Sequence, residues 1–219
     1  MTSKPMPSLA LATVAIMATA LFTGCGTTAG YKQADKTGAG IAEFREEIVN
    51  TSAAVNETVK ALDEVAATAN TNPRQAFEGF SKSVTRLASV SAKAKSRGEE
   101  MKARGQAYFA DWEKQLGQIK NPDIRALAER QRTKLRETFD SIKKFAEPLK
   151  AQFDPWLSDL KDLQRYLSND LTISGVDAAK SLFAKTQAEG IEVQKSMDAL
   201  IAELNTVAAT LTPANVKAN

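Results

Sequence analysis

The chain of 219 residues contains no histidine and a single cysteine, Cys25. These absences exclude Ser-His-Asp and Cys-His catalysis, histidine-ligated zinc or haem, cysteine-rich zinc sites and an internal disulfide. Aromatic residues make up only 6% of the sequence, and it contains neither a glycine-rich nucleotide-binding motif nor a nucleophile elbow. The sequence therefore predicts a protein that is not an enzyme and that has no metal site and no cofactor.

The charge of the chain is also small. It carries 29 Lys and Arg against 26 Asp and Glu, a formal net charge of +3. A balance this close to neutral gives no reason to expect a nucleic-acid partner. The hydrophobic share of 43% is ample for a packed core, so the composition indicates an ordered protein.

One uncharged, mostly apolar run lies near the N-terminus, at residues 9–22, and Lys4 precedes it. As a helix its fourteen residues would extend about 21 Å, which is short of the ~30 Å hydrocarbon core of a bilayer. Small residues and Cys25 follow the run. We therefore expect residues 1–24 to be a secretory signal peptide rather than a permanent membrane span.

The end of this run resembles the lipobox of bacterial lipoproteins, with the sequence Phe22-Thr23-Gly24-Cys25. The resemblance implies that Cys25 is lipidated and becomes the mature N-terminus, and two or more acyl chains make such an attachment stable. Gly26, rather than aspartate, follows the cysteine, and by the usual sorting pattern this favours the outer membrane, facing the periplasm. The alternative is an ordinary signal peptide with a chance cysteine.

The remainder of the chain is typical of long helices. Apolar residues recur at spacings of three and four, and the breaks fall at 70–73, 121–123 and 168–175. Pro148 and Pro155 predict a kink or a short break around 147–155. The predicted segments are a lipidated tether at 25–40, a helical domain at 41–211 and a C-terminal tail at 212–219. The expected fold class is all-α, an elongated antiparallel coiled-coil-like four-helix bundle; a loose, extended hairpin assembly is the alternative.

Charges are unevenly distributed along the predicted helices. Residues 42–78 have a net charge of −4, whereas residues 86–104 and 125–144 each have +4. One interpretation is that an acidic first helix lies beside a basic second helix and sets the register of the bundle. The other is a basic surface for anionic lipids, lipopolysaccharide or peptidoglycan. The candidate residues of that surface are Arg86, Lys93, Lys95, Arg97, Arg130, Arg132, Lys134 and Arg136.

Three glycines fall at inward positions of the predicted helices, Gly98, Gly105 and Gly190. Because a glycine inside a helix costs about 1 kcal/mol relative to alanine, each needs a reason. Close approach of a neighbouring helix is one explanation, and a flexible midsection is the other.

The aromatic residues suggest a second candidate surface. Tyr108 and Trp112 share one helix face, and Phe153 and Trp156 are three residues apart. These four side chains are interpreted either as an aromatic plug at one end of the core or as an exposed patch for a partner or for lipid headgroups.

Several segments resemble a known family in their order along the chain. Residues 108–116 (YFADWEKQL), 135–139 (LRETF), 154–157 (DPWL) and 160–172 (LKDLQRYLSNDLT) are similar to successive segments of the bacterial domain of unknown function 2959. The resemblance would extend over about residues 40–205. It implies a helical, exported protein and supplies no activity.

These observations predict a lipid-anchored helical protein of the cell envelope with a structural or partner-binding role. We expect contact with the membrane through the N-terminal lipid, and a protein partner. An alternative is direct binding of anionic envelope polymers or lipids, and a third hypothesis is an enzyme that uses carboxylates or a bound metal. Heptad seams can close within one chain or between two, so the sequence leaves the oligomeric state open.

Overall fold

The computed structural model describes residues 29–71 and 73–211, all of whose regular elements are α-helices. The helices are α1 (Ala29–Ala67), α2 (Pro73–Leu116), α3 (Pro122–Asn169) and α4 (Ile173–Leu211). The predicted all-α class with four long helices is therefore confirmed. The predictions for residues 1–24, Cys25 and 212–219 lie outside the described residues.

The four helices form an antiparallel square. α1 packs on α2 and α4, and α3 packs on the same two helices, whereas in the described part of the chain the backbones of the two diagonal pairs do not approach each other closely. The α1–α2 contact is the most extensive and the α2–α3 contact is the least. All four helices contribute to one continuous core. The bundle is elongated because α3, with 48 residues, is about 72 Å long.

The start of α3 agrees with the sequence prediction. Asn121 is the N-cap, and its side-chain oxygen accepts hydrogen bonds from the backbone N–H groups of Asp123 at 2.9 Å and Ile124 at 3.2 Å. Pro122 occupies the first helical position, where its missing N–H costs nothing. This turn makes α3 antiparallel to α2.

The predicted tether at 25–40 is wrong from residue 29 onward, because α1 already begins at Ala29. Ala34, Thr37 and Gly40 are buried in this first part of the helix. A Cβ added to Gly40 would lie 3.1 Å from Cδ of Arg104 in α2. Close packing on α2 therefore overrides the low helix propensity of the glycines, which read as a linker in the sequence.

The break predicted around 147–155 is also absent, since α3 continues through Pro148 and Pro155. Both prolines are exposed, so backbone carbonyls that lose a partner remain accessible to water. Between and beside them, Leu149, Phe153 and Trp156 are buried in the core. Their burial holds the helix together where proline alone would end it.

Several core positions of α1 are threonines. Thr37, Thr51 and Thr58 are at most 2% exposed, and each hydroxyl donates to the backbone carbonyl four residues earlier, at 2.7–2.9 Å. A buried hydroxyl without a partner would be costly, and this local bond removes the cost. α1 can therefore carry threonines at positions that face the core.

Candidate functional site

The basic residues of α2 that were candidates for a binding surface face carboxylates of the neighbouring helices. The pairs are Arg86 with Glu57 at 2.8 Å, Lys93 with Glu47 at 2.6 Å, Arg97 with Glu43 at 3.8 Å and Lys95 with Asp154 at 2.7 Å. Three of these acids belong to α1 and one to α3. This is the arrangement that the pairing interpretation predicts. Most of the partners are solvent-exposed, so each pair contributes less than about 1 kcal/mol.

Glu47 is the exception among these acids, because its side chain is only 9% exposed. The hydrogen bond from the Lys93 ammonium group lowers the pKa of Glu47 below its ordinary value, against the opposing effect of burial. Glu47 is therefore a buried carboxylate whose charged form is stabilised mainly by Lys93, with smaller contributions from Asn50 and Arg97.

The basic residues of α3 are arranged differently. Arg132 is 17% exposed; its guanidinium pairs with Glu113 of α2, and its Nε donates to the Phe109 carbonyl at 3.5 Å. Arg136 pairs with Asp140 of its own helix at 3.7 Å. Arg130 and Lys134 are exposed, and no carboxylate of residues 29–71 or 73–211 lies within ion-pair distance of either.

An open cleft of about 510 Å³ lies between α2 and α3 beside Arg132. Phe109 and Phe139 line it, together with Arg132, Arg136 and Asp140. It lies at the helix pair with the least extensive packing. The cleft presents an apolar surface next to two guanidinium groups.

The four candidate aromatic residues do not form one patch. Tyr108 and Trp112 contact each other with ring centroids 5.6 Å apart, and Phe153 and Trp156 contact each other at 5.9 Å. Tyr108 is 8% exposed, Phe153 4% and Trp156 1%. The exposed-patch interpretation is therefore wrong for these three side chains, which pack in the core.

The two aromatic pairs lie in separate layers of the bundle. Phe139 of α3 contacts Phe109, the neighbour of Tyr108, with ring centroids 5.8 Å apart. Phe153 lies fourteen residues further along α3, which is about 21 Å along the helix axis. A single plug at one end of the core is therefore also excluded.

The three inward glycines each lie under an aromatic ring of a neighbouring helix. A Cβ on Gly98 would lie 3.1 Å from the Phe44 ring, one on Gly105 would overlap the Phe139 ring, and one on Gly190 would lie 3.0 Å from the Trp156 ring. This geometry supports close packing rather than a flexible midsection. The ring partners could not be found from the sequence, because they are far away along the chain.

Sequence periodicity failed at one end of the bundle. Ile124 and Leu127 follow the three-and-four spacing that predicts inward positions in the third helix, but they are 55% and 51% exposed. The hydroxyl of Ser141 in α3 contacts the Glu203 carboxylate in α4, so Leu211 is level with about residue 133 of α3. The first turns of α3 therefore extend beyond the described end of α4. α4 does not pack on them there, so Ile124 and Leu127 stay exposed.

Within the described ranges, no three His, Cys, Asp or Glu side chains are grouped so that they could hold a metal ion. None of the four helices combines the length and the apolar character needed to cross a bilayer.

The fold and these contacts define an antiparallel four-helix bundle with ion-paired flanks. The family model described as "Protein of unknown function (DUF2959)" matches residues 27–211, and the chain belongs to this family. The resemblance seen in the sequence is thereby confirmed. A search of curated proteins and a search of solved structures found no match.

Proposed function

We propose that this protein is a lipid-anchored scaffold or adaptor of the bacterial cell envelope. In this proposal, residues 1–24 direct export and Cys25 carries the lipid, on the periplasmic side of the outer membrane. The observation that supports it most is the start of α1 at Ala29, four residues after Cys25. A lipid on Cys25 would hold the bundle by one end.

This anchor would give the bundle a membrane-proximal and a distal end. The proximal end contains the start of α1, the α2–α3 turn and the described end of α4. The distal end contains the α1–α2 and α3–α4 turns, at a distance of roughly 60 Å given helices of 39 to 48 residues. A bundle of this length holds a partner away from the bilayer, which is a mechanical task and needs no catalytic centre.

The distal end has exposed apolar side chains where such a partner could bind. Ile173, in the first turn of α4, is 54% exposed, and Tyr166 is 38% exposed. The Tyr166 hydroxyl donates to the Gly175 carbonyl at 2.9 Å, so these residues form part of the ordered α3–α4 connection. We therefore propose this ordered connection as the contact for the protein partner.

Anchoring is tested with Cys25→Ala, which leaves every contact of the described helices unchanged. The parent protein is expected to enter the detergent phase on Triton X-114 partition and to carry the mass of its acyl chains. The Cys25→Ala variant is expected to stay in the aqueous phase. If the parent has an unmodified cysteine, the anchor does not exist.

Partner binding is tested by photocrosslinking in intact cells. A photoreactive amino acid at Ile173 is expected to give a reproducible adduct with an envelope protein. The same group at Ile191, which is 53% exposed but lies midway along α4, is the matched control and is expected to give less. The absence of any reproducible adduct at Ile173 would count against the adaptor role.

A second candidate function is binding of an anionic envelope polymer or lipid, such as peptidoglycan, lipopolysaccharide or phospholipid. Exposed Arg130 and Lys134, which no described carboxylate pairs with, favour it. Sedimentation with peptidoglycan at two salt concentrations tests the polymer, because a contact driven by charge weakens with salt. Charge reversal at these two residues is expected to abolish the binding.

A further inference from the structure

The α2–α3 tip, defined here as residues 114–136, is the basic end of the bundle. It carries seven Lys and Arg against two acids, a net charge of +5. At the other end of the molecule, residues 60–82 and 161–180 each carry three basic and three acidic residues and are neutral. The charge of the bundle is therefore polarised along its axis.

The tip also exposes apolar side chains among its basic residues. Ile124 and Leu127 are more than half exposed, and exposed Lys120 and Arg130 are close to them in the sequence. Arg125 lies between them but pairs with Glu129 at 3.0 Å. Aliphatic side chains surrounded by Lys and Arg are typical of surfaces that lie at the boundary between lipid headgroups and acyl chains.

The start of α1 lies beside the α2–α3 tip. A Cβ on Gly30 would lie 3.7 Å from Oε1 of Gln115, so α1 begins beside the end of α2. Ala29 is the fourth residue after Cys25, so the chain between them extends at most about 14 Å. A lipid on Cys25 would therefore enter the bilayer next to the tip.

We propose that the α2–α3 tip binds the anionic phospholipid headgroups of the membrane that carries Cys25. Ile124 and Leu127 insert below the headgroups, and Lys120 and Arg130 face the phosphates. The lipid and the tip together make two contacts with the bilayer and so fix the orientation of the bundle. This inference rests on the proposed anchor and names one ligand class within the second candidate function.

The test places an environment-sensitive fluorophore at the tip of the exported full-length protein. The labelled variants are Leu127→Cys and, as a matched control at the distal end, Ile173→Cys; both replace an aliphatic side chain that is about half exposed. Each is reconstituted into vesicles of phosphatidylglycerol with phosphatidylethanolamine, or of phosphatidylcholine alone. The label at residue 127 is expected to shift its emission to the blue and to be quenched by spin-labelled lipid in the anionic vesicles only. The label at residue 173 is expected to do neither.

Charge reversal at the tip is the second part of this test. Lys120→Glu with Arg130→Glu is expected to abolish the blue shift at residue 127, and raising the salt is expected to weaken it. Lys60→Glu with Arg74→Glu makes the same change in net charge at the distal end and is expected to leave the shift intact. Equal emission at residue 127 in both kinds of vesicle, or equal changes at residues 127 and 173, would overturn the proposal. A shift produced by peptidoglycan fragments but not by anionic vesicles would overturn it as well.

The parent protein, which carries neither introduced cysteine, distinguishes a failure of the proposed anchor from a failure of the proposed tip contact. A lipidated Cys25 has no free thiol, so the parent is expected not to take up the fluorophore. Labelling of the parent would refute the anchor, and the signal at residue 127, measured as the difference from the labelled parent, would still report on contact between the tip and the vesicle.

Discussion

The indole N–H of Trp156 in α3 donates a 2.7 Å hydrogen bond to the backbone carbonyl of Thr186 in α4. Gly190 follows Thr186 by one helical turn, and a Cβ there would lie 3.0 Å from Trp156 and 2.7 Å from Val59 of α1. The ring therefore reaches the α4 backbone because Gly190 has no side chain. One glycine lets the largest buried side chain of the described core join α3 to α4.

Trp156→Phe is expected to lower the free energy of unfolding by about 2 kcal/mol, because it removes this buried hydrogen bond and leaves a cavity. Trp112→Phe, at a half-buried tryptophan of α2, is the control and is expected to cost less. Urea unfolding followed by circular dichroism measures both. Equal losses would mean that the hydrogen bond contributes nothing beyond ring burial.

Gly105→Ala tests the glycine packing directly. The added methyl group would overlap the Phe139 ring, which is itself buried against Phe109, so we expect a loss of about 1–3 kcal/mol. Gly79→Ala is the matched control in the same helix, since a Cβ at Gly79 meets no atom within 4 Å. It is expected to stabilise the protein by up to about 1 kcal/mol through helix propensity. A rise in melting temperature for both variants would contradict the packing explanation.

The sequence predicted the fold class and the inward residues of the helix centres because those depend on local periodicity. Phe80, Leu87, Phe183 and Leu204 keep the three-and-four spacing of the sequence, and all four are buried in the core. The prediction failed where the burial of a residue depends on whether a neighbouring helix lies opposite it. Leu127 has an inward spacing, yet α4 does not extend far enough within the described residues to cover it.

The candidate site was less predictable for the same reason. Arg97 and Arg130 are both basic residues in basic segments, and the sequence does not distinguish them. The fold places Arg97 beside Glu43 and Glu100, whereas it leaves Arg130 at an exposed tip. Which charges are available for a ligand is decided by helix register, and register is set by contacts between residues distant in the chain.

Thr172 makes two side-chain hydrogen bonds in the connection between α3 and α4. Thr172 precedes the first residue of α4; its hydroxyl accepts from the Gly175 N–H at 3.1 Å and donates to the Asp170 carboxylate at 2.6 Å. Thr172→Ala is expected to cost about 1 kcal/mol through loss of the N-cap. Ser174→Ala, in the exposed first turn, is the control and is expected to change stability little. Urea denaturation of the two variants measures the difference, and equal stabilities would show that the cap is unimportant.

The Glu47–Lys93 pair predicts a specific pH dependence. The bond from Lys93 lowers the pKa of Glu47 in the folded state, so the folded protein binds this proton less readily than the unfolded chain does. The resulting stabilisation is complete above the ordinary glutamate pKa of about 4.3 and is lost as the pH falls through the lower, folded value. Glu47→Gln is therefore expected to destabilise the protein near pH 7, and the gap between variant and parent is expected to close in acid.

Unfolding free energies at several pH values between neutral and strongly acidic conditions measure this gap. Glu57→Gln is the matched control, because Glu57 pairs with Arg86 in the same helix interface but its side chain is 51% exposed. Water screens that pair, so its loss is expected to change stability less at neutral pH. A Glu47→Gln variant as stable as the parent at neutral pH would show that the cost of burying the carboxylate cancels its attraction to Lys93. The charge pattern of α1 and α2 would then set the register of the helices without adding to their stability.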